Sequence, residues 1–298
     1  LHSFPTRRSS DLDSKGFRRL EFSSSPEIYD NSLQAWFKDM TNYDLSLMHF
    51  LFGAGAEMAN ELGIKTEAAH WNKLKSQLPD FDLDNEGSLT FAKGFPYNAS
   101  HRHFSHALAI HPLGIIDWSD GEKAQRIIRA TLKKMNDYGP DYWTGYTYSW
   151  FANMQARAFN GEEAAKALRT FAECFCLKNT FHANGDQSAS GKSKFTYRPF
   201  TLEGNFAFAA GIHEMLLQSH TGVIRVFPAV PESWKNVSFN NLRAMGGFLV
   251  SAALKDGKVV RLEIYAEKGG RLAVFSPFEH KVVEYDTQPG SRIDLAVE

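Results

Sequence analysis

Two cysteines in 298 residues are too few to staple a fold. Cys174 and Cys176 lie two apart inside a helical pattern and point to different faces, so no disulfide joins them in this reading. No apolar run approaches the length of a membrane span, so the sequence predicts a soluble chain with no membrane insertion. A basic block is also missing. With 33 Lys+Arg against 34 Asp+Glu the formal net charge is -1, which argues against nucleic acid as a partner. No repeat of roughly 33 to 47 residues is evident, so a superhelical solenoid is not expected. What remains is ample for a core, with 43% hydrophobic and 13% aromatic residues in a chain long enough for two domains.

Residues 2–12, His-Ser-Phe-Pro-Thr-Arg-Arg-Ser-Ser-Asp-Leu, have neither the apolar centre of a signal peptide nor a core pattern. Residues 1–12 read as a translated sequencing adapter, and the protein proper is expected to start near Asp13, inside a longer gene. A secretion signal would then lie upstream, and its absence here says nothing.

Hydrophobic periodicity divides the rest. Residues 33–62 carry apolar positions at helical spacing, with Leu45, Met48, Leu51 and Phe52 in one stripe and Gly63 as the stop. Further helices are expected over 66–78, 121–138, from the aromatic run 142–150 to about Phe159, over 161–178, and from about Phe206 to Leu216. Residues 179–194 form a Gly/Ser/Asn-rich loop. Beyond Gly222 the period changes to short β-rich runs at 223–226, 248–254, 259–265 and 271–275, with Lys255-Asp256-Gly257-Lys258 as a hairpin turn. The expected fold is mainly α over 13–220, with a small all-β domain, a sandwich, over 221–298.

The chemistry concentrates at residues 100–118, where His101, Arg102, His103, His106 and His111 fall together. Ser100 is a good N-cap, so a helix is expected here, with His103 and His106 on one face. His-x-His-x-x-His invites zinc, but no Glu stands between the histidines as in the zinc-protease motif, and no metal is expected. Histidines hydrogen-bonded at a helix end, or a polar pocket for a hydroxyl-rich or anionic ligand, are the other readings. Glu27, alone in a Ser/Pro loop, is by itself a solvated carboxylate. The aromatic run Tyr142-Trp143-Thr144-Gly145-Tyr146-Thr147-Tyr148-Ser149-Trp150 offers flat faces for a sugar, or simply the buried start of a helix.

Taken in order, Ser25-Pro26-Glu27, His101-Arg102-His103-Phe104-Ser105-His106, Leu202-Glu203-Gly204-Asn205-Phe206, Gly211-Ile212-His213-Glu214-Met215 and Pro228-Ala229-Val230-Pro231-Glu232-Ser233-Trp234 make the chain resemble glycoside hydrolase family 95. The family comprises α-L-fucosidases and α-L-galactosidases with an (α/α)6 barrel. The resemblance implies a partial (α/α)6 toroid followed by a β-sandwich, and an inverting hydrolase that takes an α-L-fucoside or related terminal sugar from an oligosaccharide or glycan without a cofactor. It implies Glu27 as general acid, and Glu203 on the base side, where the family has Asp in Asp-Gly-Asn-Phe. The asparagines that hold the attacking water would lie upstream of this chain, so a fragment lacking them could be inactive by itself. His101, His103, His106, Trp143, Trp150 and Asn205 are the expected sugar contacts. The family's setting points to a secreted or periplasmic protein. Two other readings are an (α/α)6 sugar phosphorylase, with Arg102 and Arg198 as phosphate ligands, and a carbohydrate-binding protein without catalysis. Oligomeric state is not legible.

Overall fold

The structure is a computed structural model that describes residues 12–295. The adapter segment expected at 1–12 lies outside the described residues except for Leu12. The chain divides into two compact units between Gly139 and Pro140. The six α-helices of the described residues all precede the β-rich C-terminal region.

In the first unit, β1 (Ser23–Ser24) pairs with β2 (Trp36–Phe37), and α1 (Asn42–Glu61) and α2 (Lys65–Ser76) follow. The helix expected over 33–62 starts only at Asn42, because residues 33–35 form a 3-10 turn and Thr41 caps α1, accepting from the Asp44 N–H at 3.2 Å. Buried Ser23 ties the strand to this cap, its hydroxyl 2.8 Å from that of Thr41 and 2.6 Å from the Asp44 carboxylate. Met40, Leu45, Phe52 and Leu78 form a local core with Trp71 against it. Gly55 lets α1 approach that indole, since a Cβ there would sit 2.9 Å from Trp71 Cδ2. The hairpin β3 (Thr90–Ala92) with β4 (Phe95–Pro96) leads to the histidine segment, and α3 (Glu122–Tyr138) ends at Gly139.

The helix expected after Ser100 is not formed. Residues 105–107 make one 3-10 turn and the rest is irregular, since Pro112 and Gly114 close the segment before an amphipathic face can develop.

In the second unit α4 (Gly145–Arg157) is buried along nearly its whole length, with α5 (Gly161–Cys174) and α6 (Glu203–Leu216) packed against it. Helix α5 stops at Cys174, short of the expected 178. Both cysteines are free, Cys174 buried and Cys176 half-buried. The strands β5 (Leu217–Gln218), β6 (Val223–Val226), β7 (Val237–Ala244), β8 (Phe248–Lys255), β9 (Lys258–Ala266), β10 (Gly270–Ser276), β11 (Lys281–Thr287) and β12 (Arg292–Leu295) form two four-stranded sheets, ordered β11-β10-β6-β5 and β12-β9-β8-β7. Leu217, Ile224, Leu272 and Val274 of the first share one core with Val250, Leu262 and Ile264 of the second. The β8–β9 turn at Asp256-Gly257 has φ of 48° and 77°, the left-handed pair a two-residue hairpin requires. Strands β5, β7, β11 and β12 lie outside the β-rich runs read from the sequence, and β7 carries Asn240-Asn241 at its centre. The pair sits at a register shift, with Asn241 at φ 53°.

Candidate functional site

Each unit carries part of the expected site, and each part has its own local logic. In the first unit, the Ser25 and Ser105 hydroxyls meet at 2.6 Å in a buried contact that draws the Ser-Pro-Glu loop against the histidine segment. Glu27 sits at φ 63°, followed by Tyr29, Asp30 and Asn31 at 49°, 51° and 56°. Such a run of left-handed non-glycine residues is uncommon and is held in place by side chains, among them Asn31, whose Oδ1 accepts from the Glu27 N–H at 2.8 Å.

Glu27 is not the lone solvated carboxylate that its loop suggests. Arg102 Nη2 donates to its Oε2 at 2.5 Å, and His103 Nε2 lies 3.2 Å from the same oxygen. The His103 N–H donates to His101 Nδ1 at 3.1 Å, which puts the His101 ring proton on Nε2, where it bonds the Glu27 carbonyl at 3.1 Å. Burial pushes the Glu27 carboxyl up, but the Arg102 hydrogen bond and charge outweigh it and hold the group below its ordinary range. Burial, reinforced by the Arg102 charge against the pull of Glu27, pushes His103 down, so its contact is that of a neutral imidazole. Arg102 therefore supplies the counter-charge.

His106 lies elsewhere. It is 0% exposed, its ring 5.0 Å from Tyr97 and 4.8 Å from Phe91. Burial takes it down to about 3, a neutral core histidine whose ring nitrogens have no partner among the described residues. The sequence could not separate it from His101 and His103, because without a helix the spacing says nothing about which ring faces inward.

In the second unit Glu203 is exposed in the first turn of α6, where the helix dipole favours an anion. Tyr146 is its neighbour, the phenol pushed up by burial and then by the Glu203 charge, and so a neutral donor. The sequence reading missed Tyr146, although it stands within the aromatic run. Buried His182 fixes this turn. Its Nδ1 lies 2.8 Å from Thr201 Oγ1, and its N–H donates to Asn205 Oδ1 at 3.0 Å, while Asn205 Nδ2 reaches the Thr180 carbonyl. Asn205 is thus engaged by backbone on both sides of its amide. Gly145 and Gly204 both abut the His182 ring, and a Cβ on Gly204 would lie 2.5 Å from His182 Nδ1 and 2.7 Å from Phe171 Cε2. Alanine at 204 gains up to about 1 kcal/mol of helix propensity but overpacks a rigid ring at roughly 1–3 kcal/mol or more. Gly204→Ala is expected to lower stability by about 1 kcal/mol or more, read from its denaturation midpoint. Wild-type stability would mean that the imidazole can move aside.

Trp143 is 3% exposed and packs on Tyr148 and Phe151, and Trp150 is 8% exposed beside Tyr146. Both indoles are interior. Among the aromatics that do reach the surface of this unit are Tyr142, Phe181, Tyr197, Phe200 and Phe206, with Tyr197 and Phe200 on the loop before α6 together with exposed Arg198. A density of aromatics over 195–200 was the available signal. No group of three or more His, Cys, Asp or Glu has a metal-holding arrangement among the described residues.

Two family models match the chain, the glycosyl hydrolase family 95 catalytic domain over residues 7–216 and the glycoside hydrolase family 95 C-terminal domain over 218–294. Alpha-L-fucosidase 2 of Arabidopsis thaliana is 31% identical over 232 residues, which is 76% of this chain and 27% of the relative. Probable alpha-fucosidase A of Aspergillus niger is 23% identical over 247 residues, 78% of this chain and 28% of the relative. The chain thus spans little more than a quarter of the length of either.

Proposed function

The chain belongs to glycoside hydrolase family 95, and from that premise we propose that it is the C-terminal part of an inverting hydrolase releasing terminal α-L-fucose or a related sugar from glycans. Its helices then form part of an (α/α)6 toroid over 13–220, and its two sheets a sandwich over 221–298. Apolar residues exposed along α1, among them Phe50, Leu51 and Met58, suit a helical layer with further neighbours. Secretion or export to the periplasm belongs to the same reading.

One observation carries the proposal. The Ser-Pro-Glu loop and the His-Arg-His segment, 75 residues apart, meet at the Glu27 carboxylate. In this reading Glu27 protonates the departing glycosidic oxygen, His101 and His103 fix its loop and face the sugar, and Glu203 acts on the base side through the asparagines that hold the attacking water. Inversion requires about 6.5–9.5 Å between acid and base. In the resting state Arg102 keeps Glu27 ionised, so the acid role requires the sugar to displace or screen the guanidinium and leave the carboxyl to its desolvated surroundings.

The test is a panel of aryl glycosides, with the anomer of the first product followed by proton NMR. Release from the α-L-fucoside or α-L-galactoside with initial β-product supports the reading, and α-product removes inversion. Turnover only with phosphate would mark a phosphorylase. A second reading has one observation in its favour, since a carboxylate held ionised by arginine suits recognition as well as catalysis. Glycan binding without release from any substrate would establish that non-catalytic reading.

A further inference from the structure

The second unit holds a cleft of about 760 Å³ that the catalytic reading does not use. It opens between the end of α4 and the two sheets, and that volume is in the range of small-molecule sites. Phe159, Phe275 and Phe278 line its apolar side, and Arg225, Lys258 and His280 its polar side. The Arg225 guanidinium stacks 4.9 Å from the Phe275 ring and 6.0 Å from Phe159, which presents the cation along an aromatic wall.

The chemistry of this lining is one-sided. Its charged and titratable side chains are all basic, with no Asp, Glu, Asn or Gln among them. A neutral sugar needs acceptors for its hydroxyl protons, and such a wall supplies few. An anion that brings its own acceptors is matched by it. The phenylalanine faces suit the C–H face of a pyranose. Phe159 and His280 are also held at φ 55°, so the wall is shaped by backbone that non-glycine residues rarely adopt.

We propose that this cleft is an accessory site for an acidic sugar residue, a hexuronate, whose carboxylate meets Arg225 and Lys258 while its ring lies on Phe275. The site holds glycan without cleaving it. The proposal is independent of Glu27 and Glu203, and it stands or falls without regard to turnover.

Methyl β-D-glucuronide is titrated into the protein by calorimetry, beside methyl β-D-galactoside, acetate and benzoate, with saturation-transfer NMR to map the bound face. The glucuronide is expected to bind, with the galactoside weaker by about 10-fold or more, the scale of one charge-assisted bond. Added salt weakens binding of the glucuronide and leaves that of the neutral galactoside unchanged. Lys258→Gln, on an exposed hairpin and safe for folding, and Arg225→Gln each reduce glucuronide binding, and Phe275→Ala removes saturation transfer to the ring protons. Equal affinity for galactoside would overturn the proposal. So would acetate or benzoate binding as tightly as glucuronide, or Lys258→Gln and Arg225→Gln proteins that melt and bind as the parent does.

Discussion

Glu27→Gln is expected to lower turnover of an α-L-fucoside with a sugar-alcohol leaving group by about 10²–10⁴-fold, the span a positioned general acid contributes. The fold should survive, because the Glu27 side chain is 41% exposed and the amide keeps its shape. The loss should also depend on the leaving group. An activated nitrophenolate needs little help from a proton, whereas a sugar alcohol needs most of it, so the deficit grows as the leaving group becomes more basic. A deficit equal for both would show that the carboxylate binds rather than protonates.

Arg102 makes the same assignment testable by pH. Arg102→Met removes the bond and charge that hold the carboxyl down, leaving burial, which raises it. An acid works while protonated, so the high-pH limb of kcat/KM should move to higher pH in the variant. An unmoved limb would assign the acid elsewhere. Stability follows the opposite limb. A carboxyl whose folded value lies below its ordinary 4.5 contributes stability above that value and loses it as pH falls through the folded value. Arg102→Met should therefore lessen the acid sensitivity of the melting temperature, modestly, since both partners are partly solvated.

The second large effect concerns Glu214, which the sequence offered only as part of a family motif. Arg157 Nε and Nη2 donate to its two carboxylate oxygens at 2.6 and 2.7 Å, with side-chain exposures of 7% and 16%. This bidentate pair joins α4 to α6 just before the chain turns into β5, where Gln218 Nε2 also bonds the Glu214 carbonyl at 3.0 Å. Removing one charge leaves the other buried and uncompensated. Glu214→Gln is expected to cost roughly 3–5 kcal/mol. Thermal denaturation should then show a fall on the order of 10 °C for a unit of this size. Arg157→Met combined with Glu214→Leu fills the volume without charge and is expected to fall within about 1 kcal/mol of the parent. If Glu214→Gln costs under about 1 kcal/mol, the pair is behaving as an exposed one.

Residue by residue, the legible parts share one property. The α2 and α3 helices, the change of period after Gly222 and the Asp256-Gly257 hairpin are set by spacing or by a single turn, and so could be read within a window of a few residues. Strands β5, β7, β11 and β12 fall outside the runs that the sequence shows, β7 carrying a bulge at its two asparagines, and the histidine helix is expected from a cap that no helix follows. Exposed Tyr142, Tyr197 and Phe200 against buried Trp143 and Trp150 show the same limit, because aromatic density does not tell which rings face water.

By itself, then, the sequence determined the order of helical and β-rich regions, the family, and Glu27, Glu203 and the histidines as the chemical candidates. The tertiary structure alone decided that Arg102 neutralises Glu27, that His106 is a core residue, that His182 packs on Gly204, and that Glu214 is a structural anion. Periodicity and turn chemistry act between near neighbours. Charge pairing and burial act between groups that only packing brings together, across 75 residues for Arg102 and Glu27 and 57 for Arg157 and Glu214.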